Sequence, residues 1–330
     1  MKRETGEGGM DATGRKVLVT AGEILVEIMA TQVGQSFRAP GPLVGPFPSG
    51  APAIFIDQAG RLGQPCGMIA AIGADDFGTL NLDRLRASGV DVSAIAVHGD
   101  APTGTAFVRY AEDGSRAFVF NIPLSASGRI ALTKEGRALL ERADHFHVMG
   151  SSLFSPAVVA VVTAGIEQVK QQGGTVSFDP NIRAEMLEAP GMREALSQIL
   201  ERCDLFLPSG PELFLFTQAQ TEEAAVAELL ARGVRAVVVK KGADGASYHD
   251  CEGTVSMPAF AVEEVDPTGA GDCFGAGFVC AWLGGAAPRE ALRQANACGA
   301  LAVGTKGPME GTGTAEAVRR FLAAQQETTR

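Results

Sequence analysis

Apolar and polar residues follow two different periodicities along this chain, and the changes of periodicity divide it into predicted strands and helices. Short runs rich in β-branched residues, such as VLVT at 17–20 and VVVK at 237–240, have the length and composition of buried strands. Longer stretches such as TEEAAVAELLARGV at 221–234 space their apolar residues as amphipathic helices do. Strands and helices alternate over most of the chain, so the pattern predicts a mostly parallel sheet with helices on both faces.

One segment departs from this alternation. In TGTAFVRYAEDGSRAFVFNI, at 103–122, two alternating runs at 105–110 and 116–122 flank a turn that contains Asp-Gly, which predicts a β-hairpin. The stretch 31–50 carries four prolines and is typical of a loop. We therefore expect a small β lid, formed by elements around 31–50 and 101–123, on a single domain of residues 15–330 that follows a flexible tail at 1–14.

Composition and charge narrow the classes of partner. The chain has 330 residues, 46% of them hydrophobic, and a formal net charge of −10. Because an acidic protein is repelled by phosphate backbones and by anionic membrane surfaces, we expect neither nucleic acid nor membrane as a partner. The six cysteines form no C-x-x-C pair, which argues against a zinc ribbon or a disulfide framework and favours a reducing cytoplasm.

The stretch VDPTGAGDCFGAGF, at 265–278, places glycines and an aspartate between an extended run and an apolar run. It is neither a P-loop, since the chain has no Gly-Lys dipeptide, nor a G-x-G-x-x-G dinucleotide loop. Its glycines expose backbone N–H groups at the start of a predicted helix, which favours an anion there. Asp272 either caps this helix or handles a proton, and the loop alone leaves both interpretations open.

The segment DPTGAGDCF, at 266–274, resembles the C-terminal signature of the PfkB/ribokinase family of sugar kinases. The resemblance extends from residue 16 to about 322, through the segments GADDFG at 73–78, FDPNIR at 178–183 and VKKGADG at 239–245. It implies a ribokinase-like three-layer α/β fold, with a mostly parallel central sheet and a small β lid over the sugar. It also implies ATP-dependent phosphorylation of a sugar hydroxyl with Mg²⁺.

The resemblance assigns roles to the glycine loop and to the nucleotide side of the site. Asp272 would take the proton from the attacking sugar hydroxyl, beside an anion hole at Gly269, Ala270 and Gly271. The residues that would approach ATP are Lys240, Gly242, Gly245, Thr268 and Asn296. Glu212 would organise Mg²⁺ through water, and Asp266, with Thr268, would hold a monovalent cation such as K⁺ through backbone carbonyls.

On the sugar side the chain departs from the family pattern. Glu27 stands where the family places a sugar-binding Asp, and the first signature, at Gly50 and Ala51, ends in Ile54 in place of Asn. Because Ile54 cannot donate or accept a hydrogen bond, either the substrate lacks the matching group or Asp57 or Gln58 supplies the contact. Arg183, after the strand that ends in Asp-Pro-Asn, would reach the substrate or the phosphates.

Arg109, on the predicted hairpin, leaves the substrate open. It could bind the carboxylate of 2-keto-3-deoxygluconate, or pair with an acid within the lid. The surrounding lid sequence is more similar to fructokinases, so a ketohexose such as fructose or tagatose is the first expectation and the sugar acid the alternative. A non-catalytic sugar sensor is a third interpretation, and the exposed lid strands suggest a homodimer.

Overall fold

Two sheets organise the chain. The structure, a computed structural model, describes residues 14–113, 115–182, 187 and 191–328. The strands are β1 (Leu18–Ala21), β2 (Leu25–Ala30), β3 (Leu43–Ser49), β4 (Cys66–Gly73), β5 (Ile95–His98), β6 (Gly104–Tyr110), β7 (Arg116–Asn121), β8 (His145–Met149), β9 (Thr175–Asp179), β10 (Leu205–Phe206), β11 (Ala236–Lys240), β12 (Ala246–His249) and β13 (Thr254–Met257). The helices are α1 (Ala51–Arg61), α2 (Asp76–Ala87), α3 (Lys134–Glu141), α4 (Pro156–Gln171), α5 (Met192–Leu200), α6 (Glu222–Ala231), α7 (Ala270–Leu283), α8 (Pro288–Val303) and α9 (Ala315–Thr328).

The larger sheet confirms the expected mostly parallel α/β architecture. Within the described residues it contains nine strands in the order β13-β12-β11-β10-β9-β8-β1-β4-β5. Its strands pair in parallel from β11 to β5, whereas β12 and β13 add an antiparallel edge that the sequence pattern did not predict. The carboxyl ends of the parallel strands therefore meet at one edge of the sheet, which is where ligands bind in such folds.

Helices cover both faces of this sheet because successive strand residues point to opposite sides. In β1, Leu18 packs into the cluster that contains α1, α7 and α8, whereas Val19 packs into the cluster that contains α3, α4, α5 and α6. The two clusters fill the space between the sheet and the helices on each side, so the domain has a helix–sheet–helix arrangement. Among the described residues no helix has both the length and the apolar character that a bilayer span requires.

The smaller sheet is the expected lid. Its strands lie in the order β3-β2-β6-β7, and the predicted hairpin is confirmed as β6 and β7. The proline-rich stretch that looked like a loop contributes the strand β3, antiparallel to β2. Gly14 is described, but the rest of the expected tail at 1–14 lies outside the described residues.

Asp57 corrects one sequence-based expectation, because it is part of the core and not of the sugar site. Its carboxylate is fully buried and accepts hydrogen bonds from Arg84 Nε at 2.9 Å, Ser88 Oγ at 2.5 Å and Thr312 Oγ1 at 2.8 Å. Gln58 is likewise committed, since its amide bonds both the N–H and the C=O of Gly313. These contacts tie α1 to α2 and to the segment before α9, so neither side chain is available to a substrate.

We predict that Asp57→Ala lowers the free energy of unfolding by about 3 kcal/mol, because it leaves the Arg84 guanidinium without its buried partner. Urea unfolding followed by circular dichroism measures this change. Asp83→Ala is the matched control, since Asp83 pairs with Arg86 on the surface, where the two side chains are 69% and 57% exposed. Equal losses in both variants would contradict a structural role specific to Asp57.

Candidate active site

The glycine loop before α7 forms an open, uncapped helix terminus. Gly269 precedes α7 with φ of 80°, and no side chain caps the helix. A Cβ on Gly269 would lie 2.5 Å from the carbonyl oxygen of Pro308 and 3.1 Å from Cγ2 of Ile54, so this position requires glycine. The N–H groups of Gly271 and Asp272, in the first turn of α7, thus lie where an anion is favoured, whereas the Ala270 N–H makes a long hydrogen bond to the Pro267 carbonyl oxygen at 3.4 Å.

Asp272 lies in the first turn of α7 and is buried. The helix N-cap is Gly269, so the capping interpretation of Asp272 is wrong. Its Oδ1 instead accepts a hydrogen bond from Asn181 Nδ2 at 3.0 Å. Burial, followed by the charge of Asp179, raises the pKa of Asp272 well above its ordinary value. A carboxylate with raised proton affinity suits a general base.

Lys240 lies at the centre of this acidic group. Its ammonium pairs with Asp179, whose side chain is almost fully buried at the end of β9. Burial opposes the charge on Lys240 most strongly, yet the nearby Asp179 and Glu212 carboxylates raise its pKa. A Cβ placed on Gly271 would lie 3.9 Å from Lys240 Nζ, so the ammonium adjoins the glycine loop as the sequence-based hypothesis expects.

Glu212 is the third carboxyl group of this cluster, and it lies in the short helical segment that follows β10. Its Oε1 accepts from the Ile182 N–H at 2.7 Å and its Oε2 from the Ser209 N–H at 2.6 Å, as in a helix capping box. Burial, then the charge of Asp179, raises its pKa. Both carboxylate oxygens are therefore held by backbone donors, which fixes the orientation of the Glu212 side chain.

The lid and the start of α1 bring further predicted residues to the same edge. Glu27, on β2, is buried and accepts a hydrogen bond from Ser49 Oγ at 3.1 Å. Gly50 has φ of 112°, and a Cβ there would lie 2.6 Å from the carbonyl oxygen of Glu23. This close approach places Gly50 and Ala51 beside the β1–β2 connection.

Glu23 is a buried carboxyl group that the sequence interpretation did not single out. Its Oε2 has no hydrogen-bond partner in the part of the chain that the structure describes. Burial raises its pKa to about 7, partly offset by the Ser152 hydroxyl, and its charge in turn raises the pKa of Asp272. Its position directly after Gly22, in a glycine–acid pair that follows a strand, was the available signal.

Arg109 is a second correction. Pairing of Val108 with Phe118 and of Tyr110 with Arg116 puts these four residues on one face of the hairpin, and Arg109 on the other. Arg116 donates to Thr268 of the glycine loop, so its face is the inner one. The face of Arg109 points away from the loop, and it carries Phe107, which packs against Phe37. This position contradicts the first of the two interpretations of Arg109, that of a carboxylate clamp in the site.

The remaining predicted residues are spread around the cluster. Gly242, with φ of 58°, and Gly245, with φ of 96°, form the turn after β11, and Gly242 lines a cavity of about 530 Å³ together with Lys240. Asp266 binds the N–H groups of Thr268 at 3.0 Å and Gly307 at 3.1 Å. Asn296, on α8, donates to the carbonyl of Pro258 at 3.0 Å. Arg183 lies outside the described residues.

The fold and this site together define an α/β protein that places a buried carboxyl group in the first turn of an uncapped helix. The chain matches the model of the pfkB family carbohydrate kinases over residues 19–315, and it belongs to that family. It is therefore a carbohydrate kinase with a ribokinase-like fold, as its sequence motifs indicated.

Individual relatives agree with this assignment. Fructokinase-1 of Zea mays is 30% identical over 322 residues, which cover 94% of this chain and 99% of the relative. A putative Ribokinase II from E. coli, solved in complex with ATP and Mg²⁺, is 48% identical, with a TM-score of 0.90 over 94% of this chain and 99% of that one. A double mutant of the Vibrio cholerae fructokinase, solved with fructose, ADP and potassium ion, is 25% identical, with a TM-score of 0.77 over 93% of this chain and 98% of that one.

We predict that ionisation of Glu23 destabilises the protein as the pH rises. The folded-state pKa of about 7 exceeds the ordinary value of 4.5, so the stabilising contribution is complete below pH 4.5 and is lost as the pH rises through 7. The difference amounts to about 3 kcal/mol above pH 8. Melting temperatures of the ligand-free protein between pH 5 and 8 should fall more steeply for the wild type than for Glu23→Gln.

The matched control is Glu135→Gln, which makes the same substitution at an exposed helix position. Its melting temperature should follow that of the wild type across the range. If Glu23→Gln also follows the wild type, Glu23 does not titrate between pH 5 and 8 in the folded protein.

Proposed function

We propose that this enzyme transfers the γ-phosphoryl group of ATP, with Mg²⁺, to a hydroxyl of a ketohexose such as fructose or tagatose. The observation that carries the proposal is the position of Asp272, a buried carboxylate of raised pKa in the first turn of an uncapped, glycine-preceded helix. The proposed base and the proposed anion site thus belong to the same turn of the chain. In-line phosphoryl transfer to an alcohol uses these two groups close together.

The chemistry follows from this adjacency. The sugar oxygen forms a bond to the γ-phosphorus while the bond from that phosphorus to the bridging oxygen breaks, and ADP leaves. Asp272 accepts the hydroxyl proton, and Asn181 holds the carboxylate in place through its hydrogen bond to Oδ1. The N–H groups of Ala270, Gly271 and Asp272 stabilise the charge on the transferring group.

The residues present fit a magnesium nucleotide. Lys240 supplies a buried positive charge beside Gly271, and the cavity of about 530 Å³ next to it is lined by Ser209, Lys241 and Gly242. Glu212, held by two backbone N–H groups, is placed to organise metal-bound water. We extend the proposal to a monovalent cation at the backbone carbonyls of Asp266 and Thr268, and to Asn296 as part of the adenine wall.

The choice of sugar rests on relatives and on the lid. Fructokinases recur among the relatives, both in sequence and in structure. The outward position of Arg109 removes the group that most favoured a sugar acid. We keep Glu27, Gly50, Ala51 and Arg183 as proposed sugar-side residues. The six cysteines are all free and five are buried, which supports a reducing compartment such as the cytoplasm.

We predict that Asp272→Asn lowers kcat by about 10³-fold while the sugar dissociation constant stays within a few-fold, because the substitution removes the base and keeps the shape. Wild type and variant are compared by ADP release with MgATP on fructose, tagatose, psicose, 2-keto-3-deoxygluconate, ribose and adenosine. Asp100→Asn, at a side chain 76% exposed, is the control and should match the wild type.

The panel also separates the alternatives. Turnover confined to 2-keto-3-deoxygluconate would replace the ketohexose by the sugar acid. Sugar binding without turnover of any member would make the chain a sensor. Undiminished turnover in Asp272→Asn would remove Asp272 from the mechanism and leave the family assignment standing.

We propose further that two copies associate through the outer face of the lid. This face carries Val119 of β7, which is 51% exposed. Leu43 of β3, which is 45% exposed, lies at the opposite edge of the same sheet. β3 and β7 are edge strands with open hydrogen-bonding groups, and an apolar face bounded by such edges favours pairing with a second copy.

Light scattering coupled to size exclusion should therefore give the mass of a dimer for the wild type and of a monomer for Val119→Glu. The control is Val97→Glu, at a residue 56% exposed on β5, which belongs to the larger sheet. A monomeric wild type, or dimers in both variants, would exclude the outer lid face as the interface.

A further inference from the structure

The lid presents one arginine to the catalytic loop. Arg116 opens β7, opposite Tyr110 of β6, and the Tyr110 hydroxyl lies 3.6 Å from Sδ of Met29 on β2. Burial, then the charges of Asp266 and Glu27, raises the pKa of Tyr110 to about 12. Tyr110 is thus close to Glu27 of the lid and to Asp266 of the glycine loop, and Arg116 is its partner across the hairpin.

The guanidinium of Arg116 makes a direct contact across the gap. Its Nη1 donates to Thr268 Oγ1 at 2.7 Å, and its carbon lies 5.7 Å from the centre of the Phe118 ring. The cation–π contact holds the guanidinium against the lid, while the hydrogen bond joins it to the loop. The arginine therefore bridges two parts of the molecule that are separated by 152 residues in sequence.

The backbone of Thr268, whose hydroxyl accepts this hydrogen bond, is itself held in place. The Thr268 N–H donates to Asp266 Oδ1, and Asp266 Oδ2 accepts from the Gly307 N–H. Asp266 is buried, with 1% of its surface exposed. Thr268 directly precedes Gly269, so the hydrogen bond from Arg116 is made next to the residue at which the proposed anion-binding turn starts.

We infer that Arg116 is a positioning residue that latches the lid onto the catalytic loop through Thr268. The inference rests on the proposed function, and it names the contact that keeps the lid closed over the bound sugar. With the latch in place, water is kept from the site and the sugar hydroxyl is the available nucleophile. Without it, the lid opens more often, the sugar is held less tightly, and water competes for the phosphoryl group.

The test measures steady-state kinetics of Arg116→Met, Thr268→Val and the double variant, on the sugar that the wild type turns over. Each single variant should raise the KM for sugar about tenfold, the equivalent of one charge-assisted hydrogen bond, and Arg116→Met should leave the KM for ATP within about twofold. More ADP should be released than sugar phosphate formed. The double variant should be no worse than either single one, because all three lose the same bond.

Two further variants separate the latch from a loss of charge or of packing. Arg86→Met removes an arginine that is 57% exposed and pairs with Asp83 on α2, so it should leave all of these values unchanged. Arg116→Lys keeps a donor and a charge, so it should recover part of the sugar affinity. Additive effects of Arg116→Met and Thr268→Val, or equal effects of Arg116→Met and Arg86→Met, would overturn the latch.

Other results would assign Arg116 a different role and so reject the latch. A fall in kcat with an unchanged KM for sugar would make it a direct ligand of the transferring phosphoryl group. A loss confined to sugar acids would make it a carboxylate clamp.

A readout that does not need turnover keeps the latch separate from the proposed function. Hydrogen exchange of the peptide spanning 264–274 is measured on the ligand-free protein. It should be faster in Arg116→Met and in Thr268→Val than in the wild type and Arg86→Met. Faster exchange in an enzyme that phosphorylates no sugar of the panel would keep the latch and reject the substrate proposal. Unchanged exchange in an active enzyme would reject the latch alone.

Discussion

The buried ion pair between Lys240 and Asp179 is the interaction on which the rest of the site depends. Neither charge could remain in the interior alone, because the desolvation of an unpaired ion costs several kcal/mol. Paired, they place the Lys240 ammonium at the carboxyl edge of the sheet, next to the glycine loop. Burial is the main cause that raises the pKa of Asp272 and of Glu212; the charge of Asp179 raises both values further and that of Lys240 lowers them.

The cluster around Lys240 contains more carboxyl groups than cationic groups. Three carboxyl groups, Asp179, Glu212 and Asp272, surround one ammonium, so Asp272 ionises against the cost of burial first and against the charge of Asp179 second. In the proposed mechanism this raised pKa gives Asp272 a higher affinity for the substrate proton than an ordinary aspartate has. The phosphoryl group can nevertheless be accommodated, because backbone N–H groups and a helix terminus supply the compensating positive potential without adding a titratable group.

Sequence alone predicted what depends on local pattern or contiguous motif. The parallel sheet follows from repeated strand–helix units, the hairpin from alternation around Asp-Gly, and the place of Asp272 from the nine residues around it. The faces of Arg109 and Arg116 were not predictable in this way, because a shift of one residue in register exchanges them. The partners of Asp57 were hidden for another reason, since Thr312 lies 255 residues away in the chain.

The altered sugar side has a physical explanation that the motif comparison could not supply. Ile54, in place of a hydrogen-bonding residue, packs against the position of Gly269 and so supports the turn before α7. Recognition of hydroxyls then falls to groups around Glu23 and Glu27, which are buried near the same edge. The oxygens of a carboxyl group accept hydrogen bonds, so they suit the hydroxyls of a neutral sugar. A sugar acid would bring a negative charge into this low-dielectric region, at a cost that Arg109 is not placed to offset. This cost is a physical argument for the neutral sugar of the proposed function, separate from the argument based on relatives.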